Sequence, residues 1–319
     1  MWFATFFTTF AANKFSETAL TFRFLNMTRK KKTIIIASSL LAILCLWALC
    51  VCVLIHGART KVTHTKFKLG DPEQFPMTDI GYTFDTGANV SLLVDIKNAG
   101  TLYWLCPAII IDSNLHPALG SLYYGDVCQI EENLHIFGFV FGTEKETVHG
   151  KTFPFIEGTI GMNVICKANW LFSLKTQRAE SLPLDSTVAI PADAVTLSYR
   201  GHLTPMTDLD INGHHIKNVL IDTGLDIDLT LDQTTSTIEL GVQIRQDTIE
   251  SIGLNSKRIE VKKAFKSVNI NSKSYQNVSV NFSNINLLGL GFMRRFDYIF
   301  WDSKHKKVYL WNDKSSENK

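Results

Sequence analysis

From about residue 77 onward the chain alternates apolar and polar positions in short runs broken by Gly, Asn and Asp, the period of half-buried strands. YTFDTGANVSLL, starting at Tyr82, and VLIDTGLDIDLT, starting at Val219, share one pattern: an apolar run into Asp-Thr-Gly, then a second alternating run. Each predicts strand, tight turn, strand, with the Gly after Asp-Thr expected to take backbone angles that a side chain would forbid. Strand character recurs at residues 134–141 and 266–270, and hairpin tips are expected at 120–126 and 251–256.

A second pair of segments also repeats. GTIGMNVICKANWLFSLKTQR from Gly158 and NLLGLGFMRRFDYIFWDSKHKK from Asn286 align without a gap on Gly161 and Gly289. Each predicts an apolar-apolar-Gly strand end, a short helix and a closing strand, with Trp170, Phe172, Tyr298 and Phe300 in the core. The same landmarks follow in the same order, Asp to Gly, after 76 residues in one unit and 67 in the other. Such a repeat predicts two related lobes.

One stretch breaks the pattern. Residues 33–55 form a run of 23 without a charge, directly after Arg29-Lys30-Lys31-Lys32. At about 1.5 Å rise per residue it can cross a hydrocarbon core of roughly 30 Å, and the basic flank predicts a cytoplasmic N-terminal side. A cleaved signal has an apolar region of about 7–15 residues and a small-residue cleavage site, which Ile55-His56-Gly57-Ala58 fits poorly. An uncleaved anchor is therefore expected in preference to a signal peptide, a lipoprotein signal or a buried helix. Residues 1–26, rich in Phe and Thr, show no period, and MTRKKK from Met27 reads as a natural start. The expected organisation is a cytoplasmic tail at 1–32, an anchor at 33–55, a stalk at 56–76, a first lobe at 77–179, a linker at 180–196, a second lobe at 197–312 and a tail at 313–319.

Composition changes the picture little. A content of 45% hydrophobic residues supports a sizeable core, and a net charge of +2 gives no field that argues for nucleic acid. Three of the six cysteines, Cys106, Cys128 and Cys166, fall in the outward part, which allows at most one pair there. No Cys or His spacing points to a metal and no motif to a cofactor; none of either is expected. His214-His215 reads as a hairpin tip beside Asn212-Gly213, and Arg294-Arg295 as a solvated face. The glycosylation patterns at Asn89 and Asn277 read as chance.

Two Asp-Thr-Gly turns related by a twofold would bring Asp85 and Asp222 together. Carboxyl groups that close share one proton, which suits general acid–base hydrolysis of an amide through an activated water; the handling of one proton by such a pair is familiar from aspartic proteases. FDTGANVSLL indeed resembles the active-site segment of retropepsins and their bacterial relatives. GTIGMNVI and LLGLGFMRRF resemble the apolar-apolar-Gly segment and helix of the same clan, and FDYIFWDSKHKKVYL is similar to the closing strand of bacterial members. The resemblance spans roughly residues 78–311. It implies an all-β fold of two pseudo-twofold retropepsin-like barrel lobes with a central cleft, preceded here by the transmembrane helix. It implies Asp85 and Asp222 as catalytic carboxylates, Thr86 and Thr223 as cross-braces, Gly87 and Gly224 as glycines that let backbone N–H groups approach the carboxylates, and Gly161 and Gly289 beneath the loops. Tyr123 or Tyr124 is expected on a flap.

The expected function is a membrane-anchored aspartic endopeptidase with its catalytic part outside the cytoplasm. Its expected partners are a peptide or protein substrate and the membrane; with both lobes in one chain, a monomer is expected. Leu225, where the family usually carries a small residue, and the added acids Asp226 and Asp228 motivate an alternative, an inactive membrane-tethered peptide-binding or scaffold protein of the same fold. A structural envelope protein is a third class.

Overall fold

The computed structural model describes residues 29–57, 60–70, 81–93, 101–111, 117–130, 134–142, 158–235, 238–252 and 257–313. The expected start at Met27, the tail beyond 313 and the turn at 253–256 lie outside them. The chain divides into two compact units, residues 1–57 and 58–319. Among the described residues the first contains the helix α1 (Arg29–Gly57), continuous through the basic cluster and the uncharged run. Among the described residues no helix is long and apolar enough to cross a membrane.

The second unit is built of strands. In chain order they are β1 (Lys61–Val62), β2 (Lys66–Lys68), β3 (Tyr82–Phe84), β4 (Ser91–Leu93), β5 (Leu102–Ile111), β6 (Pro117–Ile130), β7 (Leu134–Gly142) and β8 (Gly158–Ile160). A one-turn helix α2 (Met162–Ile165) follows, then β9 (Asn169–Ser173) and β10 (Arg178–Leu182). The second half repeats the sequence of elements: β11 (Val195–Ser198), β12 (Met206–Ile211), β13 (His214–Asp222), β14 (Leu229–Asp232), β15 (Gln243–Ile252), β16 (Lys257–Ile270), β17 (Lys273–Ser283), β18 (Leu287–Gly289), helix α3 (Leu290–Met293), β19 (Tyr298–Asp302) and β20 (Lys307–Trp311).

Strand order turns the sequence repeat into a structural one. The first sheet runs β3-β8-β4-β7-β6-β5 and the second runs β13-β18-β14-β17-β16-β15, with β12 added outside β13. Pair by pair, the directions match. β3–β8 and β13–β18 are parallel, β4–β8 and β14–β18 antiparallel, and β4–β7 and β14–β17 parallel. Both sheets end in long antiparallel hairpins, β5–β6 and β15–β16. The lobes are therefore two copies of one topology.

A third sheet, β11-β20-β19-β9-β10-β2, joins them, with β9 of one lobe antiparallel to β19 of the other at its centre. The gapless alignment of the segments from Gly158 and Asn286 is thus two closing strands meeting across the pseudo-twofold. Trp170 lies opposite Trp301 and Phe172 opposite Ile299 in that register, all four buried. The Phe84 ring packs edge-on against Trp170 at 5.0 Å and Phe172 at 5.2 Å. The indole N–H of Trp170 donates to the Ile165 carbonyl at 2.9 Å, so this buried polar group is satisfied.

Several expectations need correction. The segment read as a stalk supplies β1, paired with β7, and β2, paired with β10, and Phe67 enters the core, stacked 5.8 Å from Phe84. Residues 180–182 and 195–196 of the expected linker are strand, leaving 183–194 as the connection. Residues 120–126 are mid-strand in β6, not a hairpin tip. Tyr124 there packs against Phe137 at 4.9 Å and Phe139 at 4.8 Å, and Tyr123 lies against the core. The turn at Asn212-Gly213 does join β12 to β13, with both φ angles positive (49° and 84°) as a two-residue hairpin requires. His215 there bonds Asp210 at 2.9 Å. Cys106 and Cys166 carry free thiols; the side chain of Cys128 lies outside the described residues.

Trp170→Ala is expected to cost about 3–5 kcal/mol in urea unfolding followed by circular dichroism, because a large fully buried ring leaves a cavity. Tyr298→Ala, at the twofold-equivalent but half-buried position, should cost clearly less. Equal costs would contradict the packing described.

Candidate active site

The two Asp-Thr-Gly turns follow β3 and the end of β13, and the topology brings them face to face. Asp85, Thr86 and Gly87 come from one lobe and Asp222, Thr223 and Gly224 from the other. The tie between them is reciprocal. The Thr86 N–H donates to Thr223 Oγ1 and the Thr223 N–H to Thr86 Oγ1, both at 3.0 Å. Each hydroxyl in turn donates across the interface, Thr86 to the Ile221 carbonyl at 2.7 Å and Thr223 to the Phe84 carbonyl at 2.6 Å. Both threonines are buried. Below them the void walled by Phe84, Phe172, Ile299 and Trp301 is about 10 Å³, at the lower limit for one water. The four bonds therefore work in dry surroundings, where an unmade bond is expensive.

Asp85 and Asp222 present their carboxyl groups to each other, each lying against the glycine of the other lobe's turn. Their backbone support differs. Asp85 Oδ1 accepts the Gly87 N–H at 2.8 Å and the Ala88 N–H at 3.1 Å. Asp222 Oδ1 accepts the Gly224 N–H at 2.9 Å, whereas the Leu225 N–H goes to the Asp222 backbone carbonyl at 3.4 Å. Loss of water raises the pKa of both carboxyl groups. For Asp85 the bonds from Gly87, Asp222 and Ala88 oppose that rise. For Asp222 the negative charge of Asp85 adds to it, and its pKa stands well above the ordinary 3.8. Carboxyl groups this close and this poorly hydrated hold protons as a pair, so both resist ionisation together.

Gly87 and Gly224 are required by space rather than by unusual backbone angles, since neither is among the positive-φ residues. A Cβ on Gly87 would sit 2.6 Å from Cγ of Asp222, and one on Gly224 would sit 2.6 Å from Cγ of Asp85. Each glycine clears room for the other lobe's carboxyl group. Gly161 and Gly289 lie under the loops. A side chain there would strike the Ala88 carbonyl at 2.8 Å and the Ile227 carbonyl at 2.2 Å respectively. The short helices follow at once, the Met162 N–H donating to the Ala88 carbonyl and the Leu290 N–H to the Leu225 carbonyl, each at 2.8 Å.

The sequence reading missed how the loops are braced from behind. In the first lobe Ser91, fully buried, accepts the Gly161 N–H at 3.0 Å and donates to Asn163 Oδ1 at 2.9 Å. In the second lobe Asp228 takes the Ser91 position. Its carboxylate receives the Ser279 hydroxyl at 2.6 Å, the Ser279 N–H at 2.8 Å and Arg295 Nε at 2.6 Å. Arg295 therefore balances a buried acid instead of facing water, and Arg294 Nη1 reaches Asp226 Oδ1 at 2.5 Å. Ser91 and Ser279, the serines of the two glycosylation patterns, belong to these braces. An acid at the Ser91-equivalent place, with an Arg after the helix, was the available signal. Leu225 is half-buried beside the dyad.

Comparison with solved structures finds a likeness to a retropepsin-like aspartic protease. That protein is from Rickettsia conorii; the match is 19% identical, covers 39% of this chain and 95% of that one, and has a TM-score of 0.28. The likeness is distant; the two-lobed topology is evident in this chain's own strand order. No family model matches, and no curated relative does.

Thr223→Val keeps the shape of the side chain but leaves the Thr86 N–H and the Phe84 carbonyl unpaired in the interior. It is expected to cost about 2–4 kcal/mol in unfolding. Thr223→Ser, which keeps the hydroxyl, should recover most of that stability. A harmless Thr223→Val would mean that the cross-bracing does not join the lobes.

Proposed function

We propose that this chain is an aspartic endopeptidase that hydrolyses peptide bonds with Asp85 and Asp222 and is held to a membrane by the uncharged run at residues 33–55. The observation that carries the proposal is the facing carboxyl pair, fixed by symmetric ties between two lobes and with unequal backbone support, two N–H donors on Asp85 and one on Asp222.

The chemistry follows from that inequality. Ionised Asp85 takes a proton from a water lying between the carboxyl groups as its oxygen attacks the peptide carbonyl carbon. Protonated Asp222 gives its proton to the carbonyl oxygen, so a neutral tetrahedral diol forms without a charged oxyanion. Collapse sends the proton now on Asp85 to the amide nitrogen. A diol hydroxyl returns its proton to Asp222, the C–N bond breaks, and the pair regains its starting state.

For the anchor, the support is in the sequence, a run of 23 uncharged residues behind four consecutive basic ones. Basic residues stay cytoplasmic, so the β unit is assigned to the extracytoplasmic side. The two-lobed chain is assigned as a monomer, since one chain supplies both carboxyl groups.

One observation favours a second reading. Leu225, opposite Ala88 in the repeat, does not direct its N–H to the Asp222 carboxylate, so the second turn is less fully built than the first. A non-cleaving peptide-binding protein of the same fold would tolerate that difference.

Asp85→Asn and Asp222→Asn, made separately, are each expected to lower peptide cleavage by about 10²–10⁴-fold. Unchanged cleavage in either variant would end the endopeptidase reading. A wild type that binds peptides yet leaves them intact from acidic to neutral pH would favour the second. Wild-type activity should fall at low pH as Asp85 is protonated, and at high pH as Asp222 loses its proton. Both limbs should lie above the ordinary carboxyl value of 3.8.

Stability should also depend on pH through this pair. The folded state holds the Asp222 proton that an unfolded chain gives up, so this group's stabilising effect is complete below pH 3.8 and is lost as pH rises through the raised folded value. Asp222→Asn should therefore raise the unfolding temperature at neutral pH relative to wild type, with no such gain below pH 3.8.

A further inference from the structure

Beside the second turn lies an open cavity of about 430 Å³ that the cleavage chemistry does not use. Its floor is Asp226, Ile227, Asp228 and Gly291, and its wall is the β15–β16 hairpin through Ile244, Arg245, Asp247, Lys262 and Ala264. Ile244 and Arg245 are consecutive, yet both line it. A regular strand would point them to opposite faces, but the register shifts between Gln243 and Arg245, and such a bulge re-aims a side chain. The hairpin is bent so that its charged residues meet the turn that carries Asp222.

The charges there do not cancel. Asp226 is paired to Arg294 at 2.5 Å, Asp228 to Arg295 at 2.6 Å and Asp247 to Arg245 at 2.6 Å. Each acid thus has its own arginine, and Lys262 is a fourth cation, half-buried and in no ion pair among the described residues. Glu260, two positions along the same strand, is turned instead to the side-chain amide of Asn281 and lines a neighbouring cavity.

The first lobe has no counterpart. Carrying the strand registers across the repeat puts Trp104 at the place of Arg245, Pro107 at Asp247, Ser121 at Lys262 and Tyr123 at Ala264. The two walls match in backbone and differ in charge.

We infer that the Lys262 cavity is a carboxylate-binding subsite, so that the chain takes peptides in one direction, with an acidic side chain or a terminal carboxylate against the second lobe. A ligand carboxylate would complete the unpaired cation in a partly enclosed space where the three existing acids are already neutralised. This inference rests on the proposed peptide cleft, but not on cleavage.

The test uses the full chain in detergent and a degenerate decapeptide library in two pools, free-acid and C-terminally amidated. Asp222→Asn protein reports capture without turnover, and wild type reports cleavage. Captured peptides from the amidated pool should be enriched in Glu and Asp over Gln and Asn at one position by about fivefold. Enrichment in the free-acid pool alone would make the bound group the peptide terminus. Lys262→Glu should reverse the preference towards Lys and Arg, and Lys262→Gln should abolish it while peptides with Gln at that position are still captured. A Lys262→Glu profile that matches the parent, or the absence of any acidic preference in both pools, overturns the inference. If wild type cleaves nothing while the acidic preference is present and reversible, the peptidase reading fails and the subsite stands. If wild type cleaves but shows no acidic preference, the subsite fails and the peptidase reading stands.

Discussion

Everything in the β unit is organised by the exchange of bonds between Thr86 and Thr223. Each threonine spends its hydroxyl on a carbonyl of the other lobe and receives an N–H from it, so neither turn is complete alone. The constraint then spreads outward. If the turns must touch, β9 and β19 must meet beneath them, which gives the shared six-stranded sheet and its Trp170–Trp301 centre. If the carboxyl groups must touch, no side chain can stand at Gly87 or Gly224. The helices α2 and α3 must likewise press glycines against the turn carbonyls to hold the loops from below. A twofold of this kind doubles the effect of each local solution, because one strand–turn–strand–helix unit meets both sides of the demand.

What was legible in the sequence is what that constraint writes into short segments. Asp-Thr-Gly at two places, and a glycine before a short helix at two more, are local patterns with fixed chemistry, and they were enough to foresee lobes, turns and closing strands. Of the two reasons the sequence offers for Gly87 and Gly224, the approach of their N–H groups to the carboxylates is what the structure has, whereas unusual backbone angles are not; in their place a carboxyl group of the other lobe leaves no room for a Cβ.

What was illegible depends on distant partners. Residues 61–68 look polar and stalk-like because five of these eight positions face water, and only pairing with β7 and β10 makes them strands. Tyr123 and Tyr124 sit beside a Gly at each end of a short segment, which resembles a turn. Their neighbours Val140 and Phe139 on β7 carry the strand straight through. In the sequence Arg295 looks solvated, because nothing in its own segment needs a cation. The need comes from Asp228, 67 positions earlier, whose burial would be costly without it.

An almost symmetric framework nevertheless comes to act asymmetrically. Backbone symmetry alone would leave the shared proton undecided between two equal carboxyl groups. Here two N–H donors reach the carboxyl group of Asp85 and one reaches that of Asp222, which favours the charge on Asp85. The same bias appears one layer further out. The first turn is braced by the neutral pair Ser91 and Asn163, the second by the ion pair Asp228 and Arg295. Further still, the first hairpin wall is aromatic and neutral, while the second carries Arg245, Asp247 and Lys262. The second lobe thus places charge where the first places neutral groups, behind the turn and on the hairpin wall alike, on a framework that is otherwise the same.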